Sequence, residues 1–239
     1  MNYKAVDTTV VLLAAGQGKR MLPLTQNTPK PLLLIGDHAL IEHHLICLRE
    51  AGFRNVVINL DYLGHQIREK LGNGERYGVA INYSDESDTG ALETAGGLKH
   101  ALPLIGSDPF LVVNSDIWTD YPFKNILKPL TGLARLIVVK NPEHKVSGDF
   151  SPSKIGSLLQ RNESGPNSHT FSGIALYHKA MLTNLTSGYQ GLAPILFELA
   201  ESGQLEGDVY PGRWIDVGTP ERLQKIRDSG LDKRNKSLI

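Results

Sequence analysis

Short apolar runs rich in β-branched residues alternate with stretches of helical periodicity along the first half of the chain. The runs at 9–15 (TVVLLAA), 55–60, 79–84, 110–114 and 135–140 predict strands. Between them, 39–52, 63–72, 92–102 and 123–130 carry the spacing of helices. In the first of these, Ile41, Leu45 and Leu48 fall on one face at i, i+4 and i+7, and Gly52 supplies a stop. Strands that look buried on both faces, taking turns with helices, predict an α/β fold. Its expected form is three-layered and Rossmann-like, with a mostly parallel twisted sheet covered by helices on both faces.

The pattern changes near residue 141. The stretch NPEHKVSGDFSPSKIGSLLQRNESGPNSHTF is rich in Ser, Gly, Pro and Asn, with short strand-like pieces, and predicts a small β-rich region over about 141–178. Helices return at 192–203 and 219–230, the second opened by Thr219 as N-cap and Pro220 at the first helical position. Residues 1–239 read as a single domain, with a polar tail, DKRNKSLI, expected to fray.

Composition narrows the classes. Lysine plus arginine number 25 and aspartate plus glutamate 25, so no single-sign excess coats the surface; neither nucleic acid nor a membrane surface is an expected partner. One cysteine, Cys47, excludes a disulfide framework, and its apolar surroundings predict packing rather than reactivity. No apolar run approaches the ~20 residues of a membrane helix, and TVVLLAA is too short for a signal peptide. The expected protein is soluble, cytoplasmic and globular.

The chemistry concentrates after the first predicted strand, in LLAAGQGKRMLPLTQNTPKPLL at 12–33. A strand followed by a glycine loop presents backbone N–H groups to an anion, and Lys19 and Arg20 add positive charge. The spacing is not that of a Walker A loop. Nor is it a dinucleotide fingerprint, because Met21 stands where a third glycine is needed. Two further carboxylates draw notice. Asp116 follows the apolar run FLVVN, which ends in Asn114, and Asp216 precedes the capped helix at 219–230. The carboxyl end of a central strand is where open α/β sheets place ligands. The eight histidines form no zinc pattern, and no serine-hydrolase elbow occurs. DESDTG begins like a calcium loop but has Gly96 where a bidentate glutamate is required.

The stretch LAAGQGKRMLPLTQNTPKPL resembles, nearly position for position, the signature of the sugar-1-phosphate nucleotidylyltransferases. The resemblance implies their nucleotide-diphospho-sugar transferase fold. It implies that Ala15, Gly16, Gly18 and Lys19 wrap the nucleotide phosphates, that Arg20 holds the β- and γ-phosphates, and that Lys30 reaches the α-phosphate. Prolines on either side restrict the backbone about Lys30. By the same resemblance Asp116 and Asp216 hold Mg²⁺, Asn114 belongs to the nucleotide site, and the backbone from Thr94 to Gly97, Gly96 included, lies against the base. Arg20, Lys30 and Asp116 are the implied catalytic residues.

Several stretches are similar to the short uridylyltransferases that act on N-acetylmuramate 1-phosphate in cell-wall recycling: NSDIWTDYPF, NPEH followed by GDF, TFSGIALY and WIDVGTPERL. That likeness implies UTP and a sugar 1-phosphate as substrates, Mg²⁺ as cofactor, and peptidoglycan recycling as the setting. Asp149 of GDF and Gly173 of FSG would contact the sugar. A lysine that many relatives aim at the sugar phosphate is missing, LLQRN standing in its place, which leaves Arg161 or another cation to substitute. Alternatives are transfer to glucose 1-phosphate or to phosphocholine, for which Trp118, Tyr121, Phe171 and Trp214 are the available aromatics. From another class comes a non-catalytic sensor of nucleotide sugars. A sensor would be expected to lose the loop cations or the metal aspartates, which this chain keeps.

Overall fold

The computed structural model describes residues 3–90, 92–153, 157–161 and 167–230, so the C-terminal DKRNKSLI lies outside the described residues. In chain order the elements are β1 (Thr9–Leu13), β2 (Leu34–Ile35), β3 (His38–Ala39), α1 (Leu40–Glu50), β4 (Asn55–Leu60), α2 (Gly64–Leu71), β5 (Ala80–Asp85) and α3 (Glu93–Ala101). They continue with β6 (Phe110–Asn114), β7 (Ile117–Thr119), β8 (Ala134–Lys140), β9 (Phe150–Pro152), β10 (Leu159–Arg161), β11 (His169–Tyr177), α4 (Leu192–Glu201), β12 (Leu205–Tyr210), β13 (Trp214–Asp216) and α5 (Pro220–Asp228). The strands expected from the apolar runs form within a residue or two of their predicted ends.

The main sheet runs β10-β9-β11-β6-β1-β4-β5, with β8 also paired to β11 and β12 to β8. β1 lies parallel to β4 and β6, β4 to β5, and β12 to β8. β11 runs antiparallel to β6 and β8, and β10 to β9. Every strand except β10 and β11 therefore points the same way, which is the mostly parallel sheet expected. The strands of the β-rich region extend this same sheet beside β11 instead of forming a separate one.

Alternation along β1 builds the three layers. Val10 and Leu12 face a core shared with Ile41, Leu45 and Leu48 of α1 and Ile67 and Leu71 of α2. Val11 faces the opposite core with Leu98 of α3 and Leu196 and Leu199 of α4. A third, smaller cluster joins Met21, Ile35 and Trp118 to Leu223 and Ile226 of α5. Among the described residues no helix is long and apolar enough to cross a membrane.

Local signals behave as the sequence suggests at both helix ends that carried them. Gly52 takes φ +95 after α1, and the Thr219 hydroxyl accepts from the Arg222 amide at 3.4 Å ahead of Pro220. The helix expected at 123–130 is a correction: only a 3-10 turn, Phe123–Ile126, forms. Pro129 has no N–H to extend a helical ladder, and it pushes Lys128 out of helical geometry. Cys47 is partly buried, and burial raises its thiol pKa to about 11, so it stays protonated and packs. His43 and His44 are buried, bonded to the carbonyls of Ile35 and Ile117.

Candidate active site

Strand register sets the site. Leu13, near the end of β1, pairs with Asn59 of β4 on one side and Asn114 of β6 on the other. Three parallel strands thus end at one level, and the chain leaving β1 enters the glycine loop there. A cleft of about 440 Å³ opens over this edge, within the range of ligand pockets. Its walls include Ala15, Gly16, Gly18, Lys19, Arg20, Lys30, Asn114 and Asp116, so the structure brings the expected phosphate-binding residues together.

The loop is shaped by glycine and tied from within. Gly18 sits in the left-handed region at φ +64, and the Thr25 hydroxyl donates to its carbonyl at 2.9 Å. A Cβ on Gly18 would meet Thr25 Cγ2 at 3.0 Å and Lys30 Cβ at 3.2 Å, so the turn packs directly on the residue that carries the second cation. At Gly16 a Cβ would meet nothing within 4 Å. Buried Met21 anchors the loop in the third cluster.

Lys30 is only 7% exposed, yet its ammonium reaches the cleft and donates to Asp116 Oδ2 at 2.7 Å. Asp116 follows β6 and opens β7, and β7 pairs antiparallel with β13. Through that pairing the Val217 amide bonds the Asp116 carbonyl at 2.9 Å, which draws Asp216 to the same corner. Asp216 Oδ2 accepts from Arg222 at 2.6 Å, and Arg222 also donates to His144 Nε2 at 2.7 Å. Asp116 and Asp216 each keep Oδ1 without a partner among the described residues. Two free carboxylate oxygens beside a phosphate cradle fit Mg²⁺, which takes one or two carboxylates and completes its shell with substrate phosphates and water. Among the described residues no group of three His, Cys, Asp or Glu could hold a metal by itself.

The cleft's far end was not foreseen. Asn59 Oδ1 accepts from the Ala14 amide at 2.7 Å, and Asn59 Nδ2 donates to Glu86 Oε1 at 2.8 Å. Glu86 is 2% exposed, and burial raises its carboxyl pKa, against the lowering effect of Asn59. Its Oε2 has no partner among the described residues, although the residue lines the cleft. Gly97 leaves room for it, because a Cβ there would stand 2.6 Å from Glu86 Oε1. Position was the available signal: Asn59 and Glu86 stand at the carboxyl ends of β4 and β5, as Asn114 does on β6. Gly96 requires a correction. It does not line the cleft but lies under the Gly188 carbonyl, which a Cβ would approach to 2.2 Å. Its neighbour Thr94 lines the cleft instead.

A second cleft of about 240 Å³ meets the first at Arg20, Asn114 and Asp116. Gly173 and Asp216 line it, with His144, Lys145, Phe171 and Trp214. Gly173, at φ +81, lets β11 lie against Asn114, since a Cβ would stand 2.8 Å from the Asn114 side chain. Asp149 lines neither cleft; it holds Lys145, which lines the second. Arg161 is also corrected, its guanidinium lying over the Phe197 ring, 4.4 Å from the centroid and away from both clefts. Of the four aromatics available for a choline cage, Trp118 and Tyr121 belong to the core.

A glycine loop with two cations at the carboxyl edge of a doubly covered sheet, its cleft joined to a second one at Arg20, Asn114 and Asp116, is an arrangement suited to a nucleotide-dependent transferase. The chain belongs to the nucleotidyl transferase family, whose model matches residues 9–148. It is 44% identical over 223 residues to the N-acetylmuramate alpha-1-phosphate uridylyltransferase of Neisseria meningitidis serogroup B, covering 91% of this chain and 96% of that one. It is 31% identical to the catalytic subunit beta of mannose-1-phosphate guanylyltransferase of Danio rerio, over 88% of this chain and 61% of the longer protein. Among solved structures it is similar to a putative glucose-1-phosphate thymidylyltransferase of Bacillus anthracis, with TM-score 0.80 and 21% identity over 94% of this chain and 96% of that one. HddC of Yersinia pseudotuberculosis follows at TM-score 0.78 and 20% identity, over 93% and 99%.

Proposed function

We propose that the protein transfers the uridylyl group of UTP to N-acetylmuramate 1-phosphate, giving UDP-N-acetylmuramate and pyrophosphate, with Mg²⁺, in the cytoplasm. The observation that carries the transfer chemistry is the Lys30–Asp116 pair at the junction of the two clefts. The observation that favours this acceptor is the near full-length likeness to the Neisseria enzyme.

A phosphate oxygen of the acceptor attacks the α-phosphorus of UTP. The new P–O bond forms as the bond to the β-phosphate oxygen breaks, and the electron pair leaves with pyrophosphate. The attacking oxygen is already anionic near neutral pH, so the step needs no general base. What the chain supplies is placement and charge. Lys30 offsets the charge gathering at the α-phosphate, and Arg20 with the loop amides stabilises the departing pyrophosphate. The free oxygens of Asp116 and Asp216 would hold Mg²⁺, which would supply Lewis-acid chemistry. Asp116 and Lys30 hold one another until substrates arrive, which keeps two opposite charges preorganised where both are used.

The base fits the far end. Uracil presents an N3–H donor, and Glu86, whose Oε1 is fixed by Asn59, lines this end of the cleft with its second carboxylate oxygen left over as an acceptor.

Pyrophosphate release tests the proposal, with Mg²⁺, the four NTPs plus dTTP, and a panel of acceptors: N-acetylmuramate, N-acetylglucosamine and glucose 1-phosphates and phosphocholine. Release that requires both UTP and N-acetylmuramate 1-phosphate supports it. Preference for a different pair overturns the substrate assignment. Nucleotide binding with no release for any pair overturns catalysis.

A further inference from the structure

The smaller cleft holds a cation that the phosphate chemistry does not use. Lys145 lies on the connection between β8 and β9 and lines the cavity beside Phe171, Gly173 and Trp214. Its ammonium donates to both oxygens of Asp149, each at 2.7 Å. Asp149 is fixed in turn, because its Oδ2 accepts from the Phe171 amide at 2.9 Å and its own amide bonds the His169 carbonyl at 2.8 Å. An ammonium has three donors. Asp149 takes two and leaves one for whatever enters the cleft.

Position along β11 indicates what that donor meets. Gly173 lies against Asn114, beside Asp116 and the phosphate end. Phe171, whose amide holds Asp149, is two residues away, across the irregular step that β11 makes between Phe171 and Ile174. Asp116 and Lys145 line the same cleft, so a sugar whose 1-phosphate reaches Asp116 has its ring substituents within the walls that carry Lys145.

N-acetylmuramate differs from N-acetylglucosamine by a lactyl ether that ends in a carboxylate. Asp116, Asp149 and Asp216 each already hold a cation, so a further carboxylate entering the cleft needs a donor that these pairs leave over. Arg222 is committed to Asp216 and His144, and Lys30 to Asp116. We infer that Lys145, held in place by Asp149, receives the lactyl carboxylate and sets the preference for a muramate over a glucosamine acceptor. The inference rests on the acceptor proposed above.

Wild type, Lys145→Ala and Lys145→Arg are compared on N-acetylmuramate 1-phosphate and N-acetylglucosamine 1-phosphate at saturating UTP. The ratio of kcat/KM for the first acceptor over the second is expected to fall about 10- to 100-fold in Lys145→Ala, the effect of losing a charge-assisted hydrogen bond. The fall appears in KM, and Lys145→Arg recovers most of it. Side-chain exposures of 35% and 33% for Lys145 and Asp149 make the pair accessible to water, so the alanine variant keeps its Tm. An unchanged ratio overturns the inference and leaves the acceptor assignment standing. Equal proportional losses on both acceptors also overturn it, because Lys145 would then serve a group the two share. A wild-type enzyme that ignores N-acetylmuramate 1-phosphate overturns the acceptor assignment and the inference with it.

Discussion

Lys30 Nζ and Asp116 Oδ2, 86 residues apart in sequence, meet at 2.7 Å where the two clefts join. The pair is unequal: the lysine side chain is 9% exposed and the aspartate 37%. Lys30→Ala leaves a carboxylate that water can reach, whereas Asp116→Ala leaves a buried ammonium with no partner. We expect both to lower kcat by about 10²–10³, the scale for one lost transition-state donor. Asp116→Ala should also unfold more easily than Lys30→Ala, by about 1–3 kcal/mol in denaturant titrations. Near wild-type turnover in both, from folded protein, would exclude the mechanism.

The two loop glycines should separate stability from binding. Gly18 needs its positive φ and has neighbours at 3.0 and 3.2 Å, so Gly18→Ala should cost about 1–2 kcal/mol in stability. Gly16 has no neighbour within 4 Å, so Gly16→Ala should fold as well as wild type. A methyl there still projects toward the space that the phosphates are to occupy, and KM for UTP should rise. Thermal melts beside UTP kinetics decide it; two variants that behave alike would count against this loop geometry.

The free oxygens of Asp116 and Asp216 make a metal prediction. Manganese binding, followed by electron paramagnetic resonance without substrates, should weaken by at least about tenfold in Asp116→Asn and in Asp216→Asn. EDTA should abolish wild-type turnover and Mg²⁺ restore it. Unchanged manganese affinity in both variants would remove the aspartates from the metal site.

The parts of this fold that the sequence displays are those with a local cause. β1 and β6 carry unbroken apolar runs, and β4 and β8 are broken only by Asn59 and Arg135, because both their faces are buried; the glycine loop after β1 is contiguous in the chain. That β11 runs antiparallel could not be read, since IALY looks the same in either direction when buried on both faces. β12, with LEGDVY, is polar enough to pass for a loop, because its glutamate is neutralised by Arg135 on β8, a partner 71 residues away. The site divides in the same manner. Gly16, Gly18, Arg20 and Lys30 lie in one stretch and carry their own pattern. Asn59 and Glu86, or Lys145 and Asp149 against Phe171, become neighbours only through strand register.

His44 gives a pH dependence with a definite sign. Burial lowers its pKa from the usual 6.5 to about 4, and its Nε2–H donates to the Ile117 carbonyl at 2.9 Å. The unfolded chain takes up a proton below about pH 6.5 while the folded one does not, so stability is lost as pH falls from there toward 4. The slope approaches ~1.4 kcal/mol per pH unit, or about 3 kcal/mol over the whole window. His44→Gln, whose amide can still donate, should remove that part of the slope. Equal pH profiles of unfolding free energy for the two proteins would show that His44 is not its source.

The last prediction concerns the base and follows from the direction of a hydrogen-bond chain. The Ala14 amide can only donate, so the oxygen of Asn59 faces it and the Asn59 nitrogen must donate to Glu86 Oε1. In Glu86→Gln the amide oxygen has to occupy the Oε1 position to accept from Asn59, which puts Nε2 where Oε2 stood. An acceptor for the N3–H of uracil thereby becomes a donor, and cytosine, whose N3 is an acceptor, gains what uracil loses. We expect kcat/KM for UTP to fall about 10- to 100-fold and the UTP-to-CTP ratio to fall further, with the fold intact because the replacement is isosteric. An unchanged ratio would place the base elsewhere in the cleft. A loss shared equally by UTP and CTP would leave Glu86 a structural support for the Asn59 side chain and nothing more.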